Sequence, residues 1–146
     1  MQTLTMFQNL LFQDEITSDE FQLLENKSYI SKSYKDITLS GARVLNSIFE
    51  DVIFENCVFF ATEFHDSIFI NCLFINCQFK FASFATCNFE SCQFDGCTWA
   101  KTGLQNSEFN LCSQTKNIGF EVSTVGTLSF DMTRTLSTDQ FLMITA

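Results

Sequence analysis

Residues 49–99 read FEDVIFENCVFFATEFHDSIFINCLFINCQFKFASFATCNFESCQFDGCTW, and this stretch decides the fold. Every fifth residue is phenylalanine from Phe49 to Phe94, and Trp99 takes the next step. A five-residue step advances about 140° on an α-helix and alternates between the two faces of a flat strand, so neither element would keep these rings together. Burying each ring is worth roughly 1.5–3 kcal/mol, so the rings belong in a core. The chain must therefore turn by a fixed amount every five residues, which is typical of a solenoid.

The five-residue frame extends beyond the phenylalanines. Counting the ring position as the centre of a unit, centres run from Leu39 to Phe109, and the residue two positions earlier is nearly always small, as at Ser47, Cys57 and Ala82. Most of the other positions are polar. The pattern predicts that the small and the large residue both point into a narrow core. The predicted core scaffold consists of Phe49, Phe54, Phe59, Phe64, Phe69, Phe74, Phe79, Phe84, Phe89, Phe94 and Trp99.

Runs such as Phe54-Glu-Asn-Cys-Val-Phe59 and Phe89-Glu-Ser-Cys-Gln-Phe94 resemble the pentapeptide-repeat family. The resemblance implies an all-β solenoid, a right-handed quadrilateral β-helix with four units in each coil. It is strong over residues 37–109 and weaker over 110–130. We expect a single domain, 1–146, with a β-helix of about four to five coils over 36–131, a frame break near 111–119, and short N- and C-terminal capping helices.

Both ends of the chain carry a helix-start signal. Thr17-Ser-Asp-Glu20 fits a capping box, with Ile16 and Phe21 placed as a hydrophobic staple. It predicts a short helix at about 18–26 within an N-terminal capping segment, 1–35. A second box, 137–140, predicts a C-terminal capping or dimerisation helix in 132–146. In quinolone-resistance members of the family such a helix forms a dimer, so the resemblance implies a homodimer. The alternative is that the helix is a lid over the core. The candidate dimer contacts are Phe141, Leu142, Met143 and Ile144.

The composition narrows the class of partner. With 17 acidic and 8 basic residues the net charge is −9, which disfavours nucleic acid and membranes and favours basic partners. No apolar run approaches the roughly 18 residues of a membrane span. The N-terminus lacks the positive region of a signal peptide. We therefore expect a cytoplasmic protein.

No residue set predicts catalysis or a cofactor. The seven cysteines all fall on the small inward position, so we expect reduced, inert thiols acting as small hydrophobes, not a metal site or disulfides. The single histidine, His65, follows a centre and faces outward, and no nucleophile has an evident partner. The sequence predicts a protein that is not an enzyme and needs no cofactor.

Apolar residues also occupy outward positions in the first coils. If coils repeat every 20 residues, Ile48 lies beneath Ile68, and Ile53 lies beneath Leu73. Such a patch is expected to be covered, either by residues 1–35 folding back or by another protein. The candidate interaction surface consists of Ile48, Ile53, Val58, Phe60, Ile68, Ile70, Leu73 and Ile75.

These patterns favour a non-enzymatic scaffold that mediates protein–protein interaction through a rigid β-helix surface. The resemblance to quinolone-resistance members implies an alternative, a DNA mimic that binds DNA gyrase or topoisomerase IV, which are type II topoisomerases. The candidate mimic residues are Glu50, Glu55, Glu90 and Asp95. A structural module with no dedicated partner is the third hypothesis.

Overall fold

The computed structural model describes residues 15–119 and 135–136 of the chain. Nineteen three-residue strands follow one another, separated by two-residue corners, and a two-residue strand closes the series. In the strands of the repeat the middle side chain points inward and its two neighbours point outward. The three-residue strands form four parallel sheets, which we name walls A to D in the order in which the chain visits them.

Walls A and B follow each other along the chain. Wall A contains β1 (Leu23–Glu25), β5 (Arg43–Leu45), β9 (Glu63–His65), β13 (Ser83–Ala85) and β17 (Gly103–Gln105). Wall B contains β2 (Ser28–Ile30), β6 (Ile48–Glu50), β10 (Ile68–Ile70), β14 (Asn88–Glu90) and β18 (Glu108–Asn110), with β20 (Thr135–Leu136) added at its upper edge.

Walls C and D complete each coil. Wall C contains β3 (Ser33–Lys35), β7 (Ile53–Glu55), β11 (Leu73–Ile75), β15 (Gln93–Asp95) and β19 (Ser113–Thr115). Wall D contains β4 (Thr38–Ser40), β8 (Val58–Phe60), β12 (Gln78–Lys80) and β16 (Thr98–Ala100), and Ile118 adds a single parallel bridge to Thr98.

The register confirms four units per coil. Phe49 pairs with Phe69, and Phe69 pairs with Phe89, so each residue lies directly above the residue 20 positions earlier in the chain. The wall-D strand β12 pairs in the same way with β8 below it and β16 above it. The described residues make about five coils. At about 4.8 Å per coil, the first and last coils lie about 20 Å apart.

The backbone groups at the corners form hydrogen bonds from one coil to the next. The first corner residue has positive φ, as at Asn56 (56°), and its N–H donates to the carbonyl of Ile75 in the coil above at 2.8 Å. Side chains at the corners also form vertical ladders: Asn46 Nδ2 donates to Asn26 Oδ1 at 2.7 Å. Asparagine suits these corners because it tolerates the left-handed region better than most residues.

The core consists of stacked rings. On wall B the column runs Tyr29, Phe49, Phe69, Phe89, Phe109, with successive centroid separations of 4.9, 4.7, 4.6 and 4.4 Å. Rings on adjacent walls meet edge-on or tilted, as Phe54 does with Phe59 at 5.5 Å and 73°. Offset stacking within columns and edge contacts between them are both favourable ring geometries.

The small inward residues tie neighbouring coils together. The Cys72 thiol donates to the carbonyl oxygen of Phe49, 23 residues earlier, at 3.3 Å. Thr102 Oγ1 makes the same contact with the carbonyl of Phe79 at 3.0 Å. Small side chains with a donor therefore fill the corner between the ring columns without leaving that donor unpaired.

The predicted N-terminal helix is wrong. Residues 23–25 form β1, and Phe21 has a φ of 58°, which ends any helix. The Phe21 N–H donates to the carbonyl of Ser40 at 2.9 Å, while the Thr17 hydroxyl bonds with Asp19 and the Thr17 N–H donates to Gln22 Oε1 at 3.2 Å. Pairing with the second coil therefore outweighs the capping box. The predicted staple is absent as well, because Ile16 is buried and Phe21 is 77% exposed.

The β-helix begins earlier than predicted, because residues 23–35 of the predicted capping segment form its first three strands, β1 to β3. Leu24, Tyr29 and Tyr34 are buried centres of a first coil. Their units lack the small residue, because Gln22, Lys27 and Lys32 occupy that position. Within residues 15–119 no strand pairs beneath this first coil, so a long polar side chain fits there.

The predicted frame break near 111–119 is also wrong over the described residues. Cys112 stays inward, β19 pairs with β15, and Asn117 takes the next small inward position. The Asn117 amide donates to the carbonyl of Phe94 and to Gln114 Oε1, both at 2.9 Å. The frame is hidden in the sequence because its centre, Gln114, is polar.

Of the predicted C-terminal helix, 132–146, the structure describes only Thr135 and Leu136. These two residues are extended and pair antiparallel with Asn110 and Phe109 of β18. They cover the upper edge of wall B, which limits edge-to-edge association. The candidate dimer contacts Phe141–Ile144 and the second capping box lie outside the described residues.

Candidate protein-interaction surface

Aliphatic side chains form a continuous outward surface across walls B and C. Ile48 lies directly beneath Ile68 on wall B, and Ile53 lies directly beneath Leu73 on wall C. Ile48 and Ile53 are 40% and 38% exposed. The other members are half-buried. We name this surface the aliphatic face; its members are Ile48, Ile53, Ile68, Ile70, Leu73 and Ile75.

A shallow depression of about 360 Å³ runs along the corner between these walls. Ile53 and Leu73 form its apolar side, and the corner residues Asp51, Asn71 and Ser91 form its polar side. An aliphatic surface next to hydrogen-bonding groups has the composition of a protein contact site with its polar rim.

Two of the predicted surface residues lie elsewhere. Val58 and Phe60 are on wall D, at opposite ends of β8. Phe60 turns toward wall A, where its ring meets that of Phe81 with centroids 5.7 Å apart. The structure therefore brings six of the eight predicted residues together on walls B and C and places the other two, Val58 and Phe60, on wall D.

The predicted mimic residues form two interrupted columns. Glu50, Ile70 and Glu90 stack on wall B, while Glu55, Ile75 and Asp95 stack on wall C. Within each column the carboxylates are two coils apart, about 9.6 Å. B-DNA carries one charge per roughly 1.7 Å of axis, so these columns reproduce its charge density poorly.

The thiols lie where the small inward positions predict. All seven cysteines are free and buried. Desolvation by burial raises the pKa of Cys87 to about 11. A buried thiol with a raised pKa is a poor nucleophile and a poor metal ligand. Within residues 15–119 no group of three or more His, Cys, Asp or Glu side chains is arranged to hold a metal ion.

The single histidine lies beside a surface ion pair on wall A. His65 Nε2 lies 3.8 Å from Glu63 Oε2, and Glu63 Oε2 also lies 3.2 Å from Arg43 Nε in the coil below. A depression of about 270 Å³ above His65 is lined by Ser83, Ala85 and Gly103, among others. These three residues are small, and they do not give His65 a partner for acid–base catalysis.

Residues 47–130 match the family model described as "Pentapeptide repeat region". The chain belongs to the pentapeptide-repeat family. The fold inferred from the five-residue frame is thereby confirmed by the register of the walls and by the family match. No curated protein sequence matches the chain. The described part of this pentapeptide-repeat protein contains no long apolar helix that could cross a membrane.

Solved pentapeptide-repeat proteins resemble this chain in fold. HetL from the cyanobacterium Nostoc sp. strain PCC 7120, which is involved in heterocyst differentiation regulation, superposes with a TM-score of 0.61 at 12% identity, covering 74% of this chain and 45% of HetL. This chain thus spans less than half the length of HetL. Rfr23 from the cyanobacterium Cyanothece 51142 gives a TM-score of 0.41 at 15% identity, with coverages of 77% and 98%. QnrB1, a plasmid-mediated fluoroquinolone resistance protein, gives 0.30 at 13% identity, with coverages of 71% and 68%.

Sequence reasoning missed one group of surface residues in this pentapeptide-repeat rod. Phe21, Phe81 and Lys101 share one corner column between walls D and A, with Phe81 three coils above Phe21 and Lys101 one coil above Phe81. A 20-residue period applied to the corner positions would have aligned them. The aromatic frame obscured this column, because Phe81 stands only two residues after a core ring, Phe79.

Proposed function

We propose that this protein is a non-enzymatic scaffold that binds another protein through the aliphatic face. The observation that carries the proposal is the vertical pairing of outward-pointing aliphatic residues, Ile48 with Ile68 and Ile53 with Leu73, on adjacent walls. Aliphatic side chains that remain at the surface of a rigid wall favour association, because their burial releases water.

The rigidity of the rod supports the same proposal. Each outward side chain stands on a short strand bonded to the coils above and below, so a partner meets a surface that is already ordered. A pre-ordered surface loses little conformational entropy on binding. The seven free, buried thiols support a reducing, cytoplasmic setting, and this too is a proposal.

Site-specific photocrosslinking tests the proposal. A photoreactive amino acid at Leu73 samples the aliphatic face, and the same amino acid at Ser83 on wall A is the matched control, since both positions precede a core ring and both are half-buried. In extracts of cells that express the chain, we expect one protein adduct of defined mass from position 73 and none from position 83.

Competition with unlabelled protein tests whether the crosslink is specific to the aliphatic face. Excess unlabelled wild-type protein should abolish the adduct, whereas excess protein carrying Ile53→Ser and Leu73→Ser should not. Because both side chains point outward, the double variant should keep the melting temperature of the wild type within a few degrees. Equal adducts from positions 73 and 83, or no adduct at all, would contradict the proposal.

Topoisomerase binding remains an alternative prediction. A gyrase supercoiling assay with and without a fluoroquinolone separates it from the scaffold proposal. The absence of inhibition or protection at micromolar protein would eliminate it. The candidate homodimer likewise remains a prediction, tested by light scattering of the full chain.

A further inference from the structure

Exposed aromatic rings gather at one corner of the rod. Among the described residues only Phe21, Phe60 and Phe81 are exposed phenylalanines, at 77%, 39% and 48%. All three lie where wall D turns into wall A. We name these rings, together with Lys80 and Lys101, the aromatic corner.

The backbone at this corner makes phenylalanine a costly choice. Phe21 and Phe81 have φ values of 58° and 54°. Bulky residues are rare in the left-handed region, where the Cβ crowds the carbonyl, and asparagine or glycine fits with less strain. Many equivalent positions on the other corners carry Asn or Asp, as at Asn26, Asn56 and Asp66. Strain of this kind at the surface points to a role other than folding.

Within the aromatic corner, Phe60, Phe81 and the two lysines lie on adjacent coils, and Phe21 lies three coils below Phe81. The Phe60 and Phe81 rings meet edge to face, with centroids 5.7 Å apart and planes at 84°. Lys101 Nζ lies 5.7 Å from the centroid of the Phe81 ring, and Lys80 stands directly above Phe60 in the sheet register. The rings and ammonium groups therefore alternate over adjacent coils.

The corner is free of carboxylates although the protein is strongly acidic. The outward positions of β4, β8, β12 and β16 carry no Asp or Glu, and neither does the corner column 21, 41, 61, 81 and 101. Within residues 15–119 neither Lys80 nor Lys101 is paired with a carboxylate. Of the nearby acids, Glu20 lies at the base, and Glu63 on wall A is engaged by Arg43.

We propose that the aromatic corner binds an extended protein segment in which carboxylate side chains alternate with apolar ones. The carboxylates would contact Lys80 and Lys101, and the apolar side chains would pack against the Phe60 and Phe81 rings. Alternation along an extended segment recurs about every 6.8 Å, which is comparable to the spacing of the rings. Two lysines in a protein of net charge −9 are too few to hold nucleic acid. We therefore infer that the ligand is a protein segment.

This surface is independent of the aliphatic face. The corner between walls D and A lies diagonally opposite the corner between walls B and C. The two proposals therefore involve different residues, and either can fail without the other.

Fluorescence anisotropy with the full chain tests the proposal. The probes are three labelled molecules: a short peptide alternating glutamate with leucine, its counterpart alternating lysine with leucine, and a short oligothymidylate. We expect the acidic peptide alone to bind, and its affinity to fall as salt screens the lysines. Binding of the basic peptide or of the oligonucleotide instead, or binding of none, would overturn the proposal.

The decisive variant is Phe81→Asn, which removes a ring and installs a residue suited to the positive φ. Leu111→Asn is the matched control, because Leu111 is exposed at a φ of 53° on the corner between walls B and C. Both variants should melt at or above the wild-type temperature. Only Phe81→Asn should weaken acidic-peptide binding, by about tenfold.

Two further outcomes count against the aromatic corner. If Phe81→Asn lowers the melting temperature while Leu111→Asn does not, the ring is structural and the proposal is wrong. If Lys80→Gln combined with Lys101→Gln leaves the salt dependence of peptide binding unchanged, the lysines do not hold the carboxylates and the proposal is wrong as well.

Discussion

The rings of Phe69 and Phe89 stack with centroids 4.6 Å apart and planes inclined by only 5°. Phe69 stacks equally closely on Phe49 below it, at 4.7 Å, and is 1% exposed. Each inner ring is therefore enclosed by two coils, and its removal leaves a cavity that no neighbour on the same wall can fill.

Phe69→Ala should lower the free energy of unfolding by about 3–5 kcal/mol, because transfer and cavity terms add in a closed column. Urea denaturation followed by circular dichroism measures the change. Ile48→Ser, on the outer side of the same wall, is the control and should cost less than about 1 kcal/mol. Similar losses for the two variants would show that the column is not the main source of stability.

Cys87→Ser should be tolerated. The Cys87 thiol donates to the carbonyl of Phe64 at 3.4 Å, and Ser107, directly above it, donates to the carbonyl of Phe84 at 3.3 Å. A hydroxyl thus makes the same contact in the same column, so we expect a loss below about 1 kcal/mol. Cys87→Leu, which overfills the corner, should cost about 1–3 kcal/mol. Equal losses for the two would indicate that the sulfur itself is required.

The buried Cys87 thiol should make the protein sensitive to alkali. Burial raises the pKa of Cys87 from 9.0 to about 11, so the folded state holds this proton more tightly than the unfolded chain does. This contribution to stability is complete below the unfolded pKa and is lost as pH rises through the folded pKa. The melting temperature should therefore fall between about pH 9 and pH 11.

The control for this pH dependence is Cys87→Ser, whose melting temperature should fall less steeply over the same range. A thiol reagent at neutral pH should label none of the seven cysteines in the native protein and all of them in denaturant. Rapid labelling of the native protein would contradict the burial of the thiols.

Two glycines should respond differently to substitution by alanine. Gly41 has a φ of 65°, and a Cβ there would lie 2.7 Å from Phe21 Cδ1, so Gly41→Ala should cost about 1 kcal/mol. At Gly103 an added Cβ meets nothing within 4 Å, so Gly103→Ala should be neutral or stabilise by up to about 1 kcal/mol. Thermal denaturation of both variants measures the difference, and a loss at Gly103 would contradict the open geometry of wall A.

The regular part of the fold is readable from the sequence because each unit repeats the same physical solution. A large ring at the centre and a small residue two positions earlier, as in Cys72 and Phe74, can only both be buried if the chain turns every five residues. Thus the sequence alone indicates the inner position of the rings and thiols. It could not show that Leu24, Tyr29 and Tyr34 begin the rod, since the units at the base lack the small residue.

Which outward side chains lie next to one another on the surface depended on the tertiary structure. Residues 20 apart become neighbours only after four corners have closed a coil, and internal spacing does not reveal how many corners a coil has. The coil places Ile53 beneath Leu73, carries Phe60 away from them, and brings it to Phe81. Local sequence therefore determined which side chains point inward, because burial is a property of each five-residue unit, whereas the tertiary structure decided which outward side chains meet, because their contacts arise between coils.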